Sequence, residues 1–444
     1  MLNKHLFILA HQLGCKSFYP TYQFLMKNQW SSYAELKENQ NKELKQLVSF
    51  VYENVPYYRN LFKNLNLFPN DIRTLEDLEK LPVLTKDIIK QHWEDFKPAN
   101  LSSMQYDNDS TGGSTGTPFQ YRLSKQDRFL GGALLYRGWG YGGYQLGDRM
   151  VILAGSSLDV GKKSYLEKKA HEITRNIRKL SSYDMGEKEM MDYAEILNNF
   201  KPRFIRGYAS SIYFYAKWLE KNDVSVFFPD AVFTTAEKLF PDMRKTIGRV
   251  FDCDVFDGYG LNDGGVGAHE CPEHTGLHID TERSIMEVVD SSGFQIDEGQ
   301  GQILATSLHN YATPFLRYAT GDEGFILSDS CSCGRGHRLL KEVLGRQHTM
   351  LITPEGKHIH GTVFSWVMDD VSHVKEFQVV QKSIEDIQIN IVKEPGFNEE
   401  TLEKIKQLIL TKSPNWNIEF VFVDEIKRTG AGKYKFIMNE MLNA

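Results

Sequence analysis

Residues 110 to 118 read Ser-Thr-Gly-Gly-Ser-Thr-Gly-Thr-Pro. Gly112, Gly113 and Gly116 let backbone N–H groups come close to an anion, and the side chains of Ser110, Thr111, Ser114, Thr115 and Thr117 can donate to phosphate oxygens. No Gly-Lys-Ser/Thr closes the segment, so it is not a Walker loop. A plain polar surface loop is the competing reading, but dense alternation of glycine and hydroxyl closed by Pro118 favours phosphate binding. A second set of reactive side chains is Cys271, His274 and His278, with Cys331 and Cys333 further along. Thiolates and imidazoles at such spacing suit tetrahedral Zn²⁺, against the alternative of free buried thiols. Three sulfurs and one nitrogen would close the metal's shell, which makes the ion structural.

Composition limits what these residues can serve. A chain of 444 residues exceeds one ordinary core and should divide into two or more units. Hydrophobic residues at 41% and charged residues at 25% are those of a soluble globular protein. Lys plus Arg is 52 against 58 for Asp plus Glu, a net charge of −6, which gives no broad basic footprint for nucleic acid. Leu6 to Ala10 is apolar but is interrupted at once by His11 and Gln12, so it reads as an amphipathic helix rather than a secretory core. No apolar stretch approaches the ~20 residues that span a bilayer. The expectation is a cytoplasmic protein without a membrane span. Five cysteines in this length do not form a disulfide scaffold, and Cys15 and Cys253 look solitary.

The elements that must position these residues follow from periodicity. Residues 34 to 54 have helical spacing and end before Val55-Pro56; short helices punctuated by Pro82 and Pro98 come next. Strands are predicted near 149–154, 203–206, 231–235 and 254–256, with helices over 187–200 and 210–221. Such alternation argues for an α/β body. Residues 285 to 327 change to closely spaced strands, a β-rich subregion packed on that body. Strands over 375–392 and 417–423 flank an amphipathic helix over 399–411, forming a small α+β unit. The predicted domains are 1–345, with the β-rich subregion at about 270–345, and 346–444, divided at Gly345-Arg346.

Five segments together resemble the adenylate-forming superfamily of acyl-CoA synthetases, adenylation domains and luciferases. They are the loop at 110–118, Thr235-Ala236-Glu237, Tyr259-Gly260-Leu261-Asn262-Asp263, Tyr318-Ala319-Thr320-Gly321-Asp322, and Lys427 to Lys433 (KRTGAGK), in that superfamily's order. Asn54 to Arg59, Leu81 to Lys86 and Cys331 to Arg335 resemble the phenylacetate-CoA ligase branch, which includes the CapK-like proteins of capsule polysaccharide biosynthesis. The resemblance implies a large AMP-binding domain, a small mobile C-terminal domain, and use of ATP and Mg²⁺ to turn a carboxylic acid into an acyl-AMP. It implies that residues 110–117 hold the β- and γ-phosphates, that Ala236 and Glu237 line the adenine, and that Tyr259, beside Gly260, stacks on it. Asn262 would face the α-phosphate, Asp263 would bind Mg²⁺ and Asp322 the ribose hydroxyls. Arg346 would lie at the nucleotide beside the hinge, and Lys433 would bridge the acid oxygen and the α-phosphate. In the zinc set, a Gly-x-His in this branch favours His278 over His274, beside Cys271, Cys331 and Cys333.

Three positions depart from the pattern. Asn262 replaces a threonine, Asp263 a glutamate and, at the hinge, His348 an aspartate. They leave the acceptor open between coenzyme A and an amine of an amino acid or sugar. A third reading, an inactive nucleotide-binding protein, is opposed by the intact loop, Asp322 and Lys433. Tyr136, Tyr141, Tyr208 and Tyr213 either line a ring-binding pocket or pack the core.

Overall fold

The computed structural model describes residues 2–110, 119–155, 165–182, 185–346, 350–356, 358–360, 364, 371, 373–428, 434–435 and 437–443. The chain begins with helices α1 (Leu2–Gly14), α2 (Phe18–Asn28), α3 (Tyr33–Asn54), α4 (Pro56–Asn64) and α5 (Lys86–Gln91). Ser32 and Glu35 close a reciprocal capping box at the start of α3, which satisfies two otherwise orphaned N–H groups. Strands β1 (Tyr106–Ser110) and β2 (Gln120–Ser124) pair antiparallel, so Ser110 lies opposite Gln120.

After α6 (Lys125–Tyr141), strands and helices alternate: β3 (Met150–Ala154), α7 (Tyr165–Arg175), β4 (Ile177–Ser181), α8 (Glu187–Phe200), β5 (Phe204–Tyr208), α9 (Ala209–Lys221), β6 (Ala231–Thr235), α10 (Pro241–Phe251) and β7 (Asp254–Gly260). These five strands are parallel, and period-two alternation sends their residues to two covered faces. Val151, Leu153, Ile205, Val232 and Val255 meet Leu197, Ile212 and Ile247 of α8, α9 and α10. Met150, Ile152, Phe204, Phe233 and Phe256 meet Phe7, Phe18, Leu134 and Trp139 of α1, α2 and α6.

The strands expected to pack on this body instead extend it. β8 (Gly267–Glu270), β9 (Leu277–Ile279), β10 (Ser284–Val289), β11 (Gly299–Ser307), β12 (Tyr318–Leu327) and β13 (Leu339–Arg346) add antiparallel to give one 11-stranded sheet. Continuity arises because β8 folds back on β7 with Gly258 opposite His269. Beyond it lie the hairpin β14 (Met350–Ile352) and β15 (His358–His360). A four-stranded sheet follows, of β16 (Val374–Gln381), β17 (Asp386–Lys393), β18 (Asn417–Phe422) and β19 (Ile437–Asn439), covered by α11 (Glu399–Leu410).

Buried ion pairs tie α6 to the antiparallel half. Arg137, which has no solvent access, pairs with Asp280 at 2.7 Å and also with Glu282. Arg283 holds Asp127 at 2.7 Å. Burial opposes ionisation of both Arg137 partners. It is outweighed for Glu282 by Arg137, and for Asp280 by His269 and Arg137, so both carboxyls stay below the usual range. Their share of stability is therefore complete above about pH 4 and is lost as the pH falls toward their folded-state values. Arg137→Met leaves two buried carboxylates without this cation, with an expected loss of about 3–5 kcal/mol at neutral pH. Urea melts at pH 7 measure it, and an unchanged midpoint would contradict the assignment.

Candidate active site

The C-terminal ends of β5, β6 and β7 open into a cavity of about 480 Å³ between the sheet and α6. Ligands of open α/β sheets bind at such strand ends. Ala236, Tyr259, Gly260 and Asn262, from two of the sequence segments, all line it. The Tyr259 hydroxyl donates to Asp322 at 2.9 Å, which brings a third segment to the same place. Asp322 lies opposite Arg346 in the β12–β13 register, so the backbone of the expected hinge runs beside the carboxylate expected to hold ribose. Thr111 to Thr117, His348 and Lys433 lie outside the described residues, as does the side chain of Arg346.

Asp263 is buried and accepts a 2.6 Å hydrogen bond from the Tyr318 hydroxyl. Burial raises its pKa, opposed by Tyr318 and by the nearby Lys86 ammonium. A divalent cation here would favour the ionised form, and a carboxylate oxygen is the hard donor Mg²⁺ prefers. The Asn262 carbonyl oxygen sits 3.4 Å from both terminal nitrogens of Arg283, which leaves its amide as the donor.

The segment expected to line adenine carries backbone strain. Ala236 has φ +68°, a left-handed conformation that costs a non-glycine residue roughly 1–2 kcal/mol. Its neighbour Glu237 anchors the turn by accepting from the Ser210 N–H at 3.0 Å. The other carboxylate oxygen accepts from the backbone N–H of Tyr434 at 3.1 Å. Tyr434 follows Lys433, so the C-terminal unit docks on the large domain one residue from the expected catalytic lysine. The Tyr434 ring packs edge-on against Phe214 of α9 at 5.4 Å, with the Arg428 guanidinium 4.4 Å from its centroid.

Sequence reasoning missed three groups. Arg206, Asp257 and His269 line the cavity, each brought there by strand pairing. Asp257 had a local signal, as a carboxylate two residues before Tyr259. Burial pushes its carboxyl up to about 6, and Thr234 donates to it at 2.7 Å. None of Tyr136, Tyr141, Tyr208 and Tyr213 is a lining residue; the aromatic walls are Trp139, Phe233 and Phe256.

The cysteine and histidine cluster assembles apart from this cavity. Cys271 follows β8, His278 is on β9, and Cys331 and Cys333 lie between β12 and β13. Their four donor atoms fall within 4.8 Å of one another. The Cys271–Cys331 sulfur separation is 3.7 Å, and Cys333 Sγ lies 3.4 Å from His278 Nε2. A tetrahedron with zinc–ligand bonds of about 2.0–2.3 Å has edges of about 3.5–3.8 Å. The donors fit such a cation. His274 is engaged elsewhere, with Nδ1 3.2 Å from Glu270 and 3.3 Å from Arg244.

Comparison with known proteins agrees with this layout. Residues 351–440 match the family described as the CapK C-terminal domain. The chain is 28% identical over 384 residues to a phenylacetate-coenzyme A ligase of Thermus thermophilus, covering 82% of this chain and 83% of that one. It is 26% identical over 416 residues to Protein CapK of Staphylococcus aureus, covering 92% and 90%. A 2-hydroxyisobutyryl-CoA ligase in its postadenylation state, bound to an acyl-AMP, superposes with a TM-score of 0.75 at 18% identity, covering 93% and 92%. The fold is that of the adenylate-forming ligases.

Asp257 offers a test of the cavity's electrostatics. Its folded pKa lies above the ordinary value near 4, so the protein loses stability as the pH rises from about 4 through 6. Asp257→Asn is expected to flatten that slope and to be the more stable protein above pH 6 by about 1–3 kcal/mol. Urea melts between about pH 4 and 8 read this directly.

Proposed function

We propose that this chain, with the fold of the adenylate-forming ligases and with phenylacetate-CoA ligases and CapK as relatives along most of its length, activates a carboxylic acid with Mg-ATP. The product is an acyl-AMP, whose acyl group then passes to an acceptor. The observation that carries the reading is the convergence of Ala236, Tyr259, Asn262 and Asp322 at one cavity, with Asp263 beside it and the residue after Lys433 docked on Glu237.

In the first step a carboxylate oxygen attacks the α-phosphorus of ATP and pyrophosphate leaves. Two anions must meet while charge grows on the transferring group, so donors fixed in advance lower the barrier. Asp322 holds the ribose hydroxyls and Tyr259 orients Asp322 while its ring stacks on adenine. The loop at 110–117 holds the β- and γ-phosphates, the Asn262 amide donates to the α-phosphate, and Lys433 bridges that phosphate and the acid. A Mg²⁺ ion held by Asp263 would supply positive charge to the phosphates.

In the second step the acceptor attacks the acyl carbon and AMP leaves. The acceptor is the thiol of coenzyme A, by analogy with the ligase relatives; the CapK likeness supports an amine of an amino acid or sugar in capsule biosynthesis as the second reading. Residues 1–345 and 346–444 form the two domains, and Gly345, at φ +97°, is suited to absorb rotation between them. Cys271, His278, Cys331 and Cys333 would hold a structural Zn²⁺, joining the turn after β8 to the β12–β13 connection. Reduced thiolates in this site suit a cytoplasmic location.

ATP–pyrophosphate exchange across a panel of carboxylic acids tests the first step. At least one acid is expected to support exchange, and Lys433→Ala to lower it by at least about a hundredfold, the scale of losing a principal transition-state contact. Failure of every acid would sink the enzyme reading. Adding coenzyme A or amines then separates the two acceptors by product. For the metal, about one equivalent of zinc is expected in protein purified without chelator. Cys331→Ser should lose the zinc and lower Tm by several degrees; less than half an equivalent in the parent would contradict the site.

A further inference from the structure

Nearly every charged side chain lining the cavity already has an opposite charge. Arg128 pairs with Asp107 at 2.6 Å, Arg283 with Asp127 at 2.7 Å, Glu270 with Arg244 at 2.9 Å, and Asp280 with Arg137 at 2.7 Å. Asp257 also lines the cavity, but its β6 partner is Thr234, on the strand face opposite Phe233, and its carboxylate accepts from the Thr234 hydroxyl at 2.7 Å. Arg206 is the exception. It sits opposite Phe233 in the β5–β6 register, on the α6 side, with its guanidinium 4.8 Å from the Trp139 ring centroid. Among the described residues no carboxylate pairs with it, and its titratable neighbours are the phenols of Tyr136 and Tyr208. Burial lowers its pKa only to about 10, so it remains a cation at neutral pH. A half-buried cation with no counter-charge among the described residues is costly, and such a cost persists where a ligand supplies the missing anion.

We infer that the acid activated here carries a second negative group, and that Arg206 is the specificity-determining residue that binds it. The inference rests on the adenylation reading, because that reading fixes the other end of the substrate. The reacting carboxylate must reach the α-phosphate near Asn262 and Asp263, which leaves the body of the acid against Trp139, Phe233 and Phe256. The distal anion then meets the guanidinium in a fork-shaped, charge-assisted pair. The class of substrate is a dicarboxylic acid with an apolar or flat spacer, in contrast to a monoacid with a purely apolar tail.

The probes are glutarate, adipate and 1,4-phenylenediacetate, each against its own monomethyl ester, which keeps one reacting carboxylate and removes the distal charge. With the intact chain, at least one diacid is expected to exceed its ester by about tenfold or more in kcat/KM for pyrophosphate exchange. Arg206→Met should abolish or invert that preference with the KM for ATP unchanged, and Arg206→Lys should restore part of it. Calorimetric binding of the same pairs without ATP reads the preference independently of turnover. Equal affinity for diacids and esters in the parent protein would overturn the inference, as would an Arg206→Met effect confined to ATP. Exchange with monoacids alone would overturn the diacid assignment and leave adenylation standing. Absence of exchange with every acid, while diacids still bind through Arg206, would remove the adenylation reading instead.

Discussion

Arg137 is a cation with no access to water, shared between two carboxylates 143 and 145 positions further along the chain. Such an arrangement is stable only if geometry is nearly fixed, because any slip would leave a charge buried without its partner. It therefore sets the height of α6 against the strand corner at Asp280 and Glu282. One residue on, Gly138 lets the helix come close: a Cβ there would lie 2.2 Å from the His269 ring. The cavity is the space left between α6, held in this way, and the parallel strands β5 to β7. Its depth and its aromatic walls depend on a pairing that touches neither nucleotide nor acid.

The two ends of that cavity are built by different means. At the strand ends it is bounded by the left-handed turn at Ala236 and by Tyr259 and Gly260. Against α6 the cavity is lined by side chains, with Arg206, Trp139 and Phe233 among them. Glu237 links the first end to the C-terminal residues, since its one carboxylate accepts from the backbone of both Ser210 and Tyr434.

The cysteine and histidine cluster belongs to the structural side of this division. It joins two connections of the antiparallel half, and the ring of His278 lies 6.1 Å from that of the fully buried His337, which reaches toward Glu282. Four donors within 4.8 Å of one another would close the shell of a tetrahedral cation and leave no open position for substrate.

Much of this was legible in the chain alone. Local chemistry reads from local sequence: the glycine and hydroxyl alternation, the Tyr-Gly-x-Asn-Asp run, the Thr-Gly-Asp run and the paired cysteines each carry their meaning within a few residues. Helical and strand periodicity likewise gave α8, α9 and β3 with nearly their observed limits. The pairing of Tyr259 with Asp322, the tie from Tyr318 to Asp263 and the docking of Tyr434 on Glu237 were not legible, because the partners are 63, 55 and 197 positions apart. Nor could periodicity show that β8 to β13 continue the main sheet, since that depends on which edge a strand finds. The sequence by itself determined the kind of reaction, through residues that act where they stand. Only the tertiary structure decided which charges are matched, Arg137 with Asp280 and Glu282 and Arg283 with Asp127 among them, because charge balance in a low-dielectric interior is a property of neighbours in space and not of neighbours in the chain.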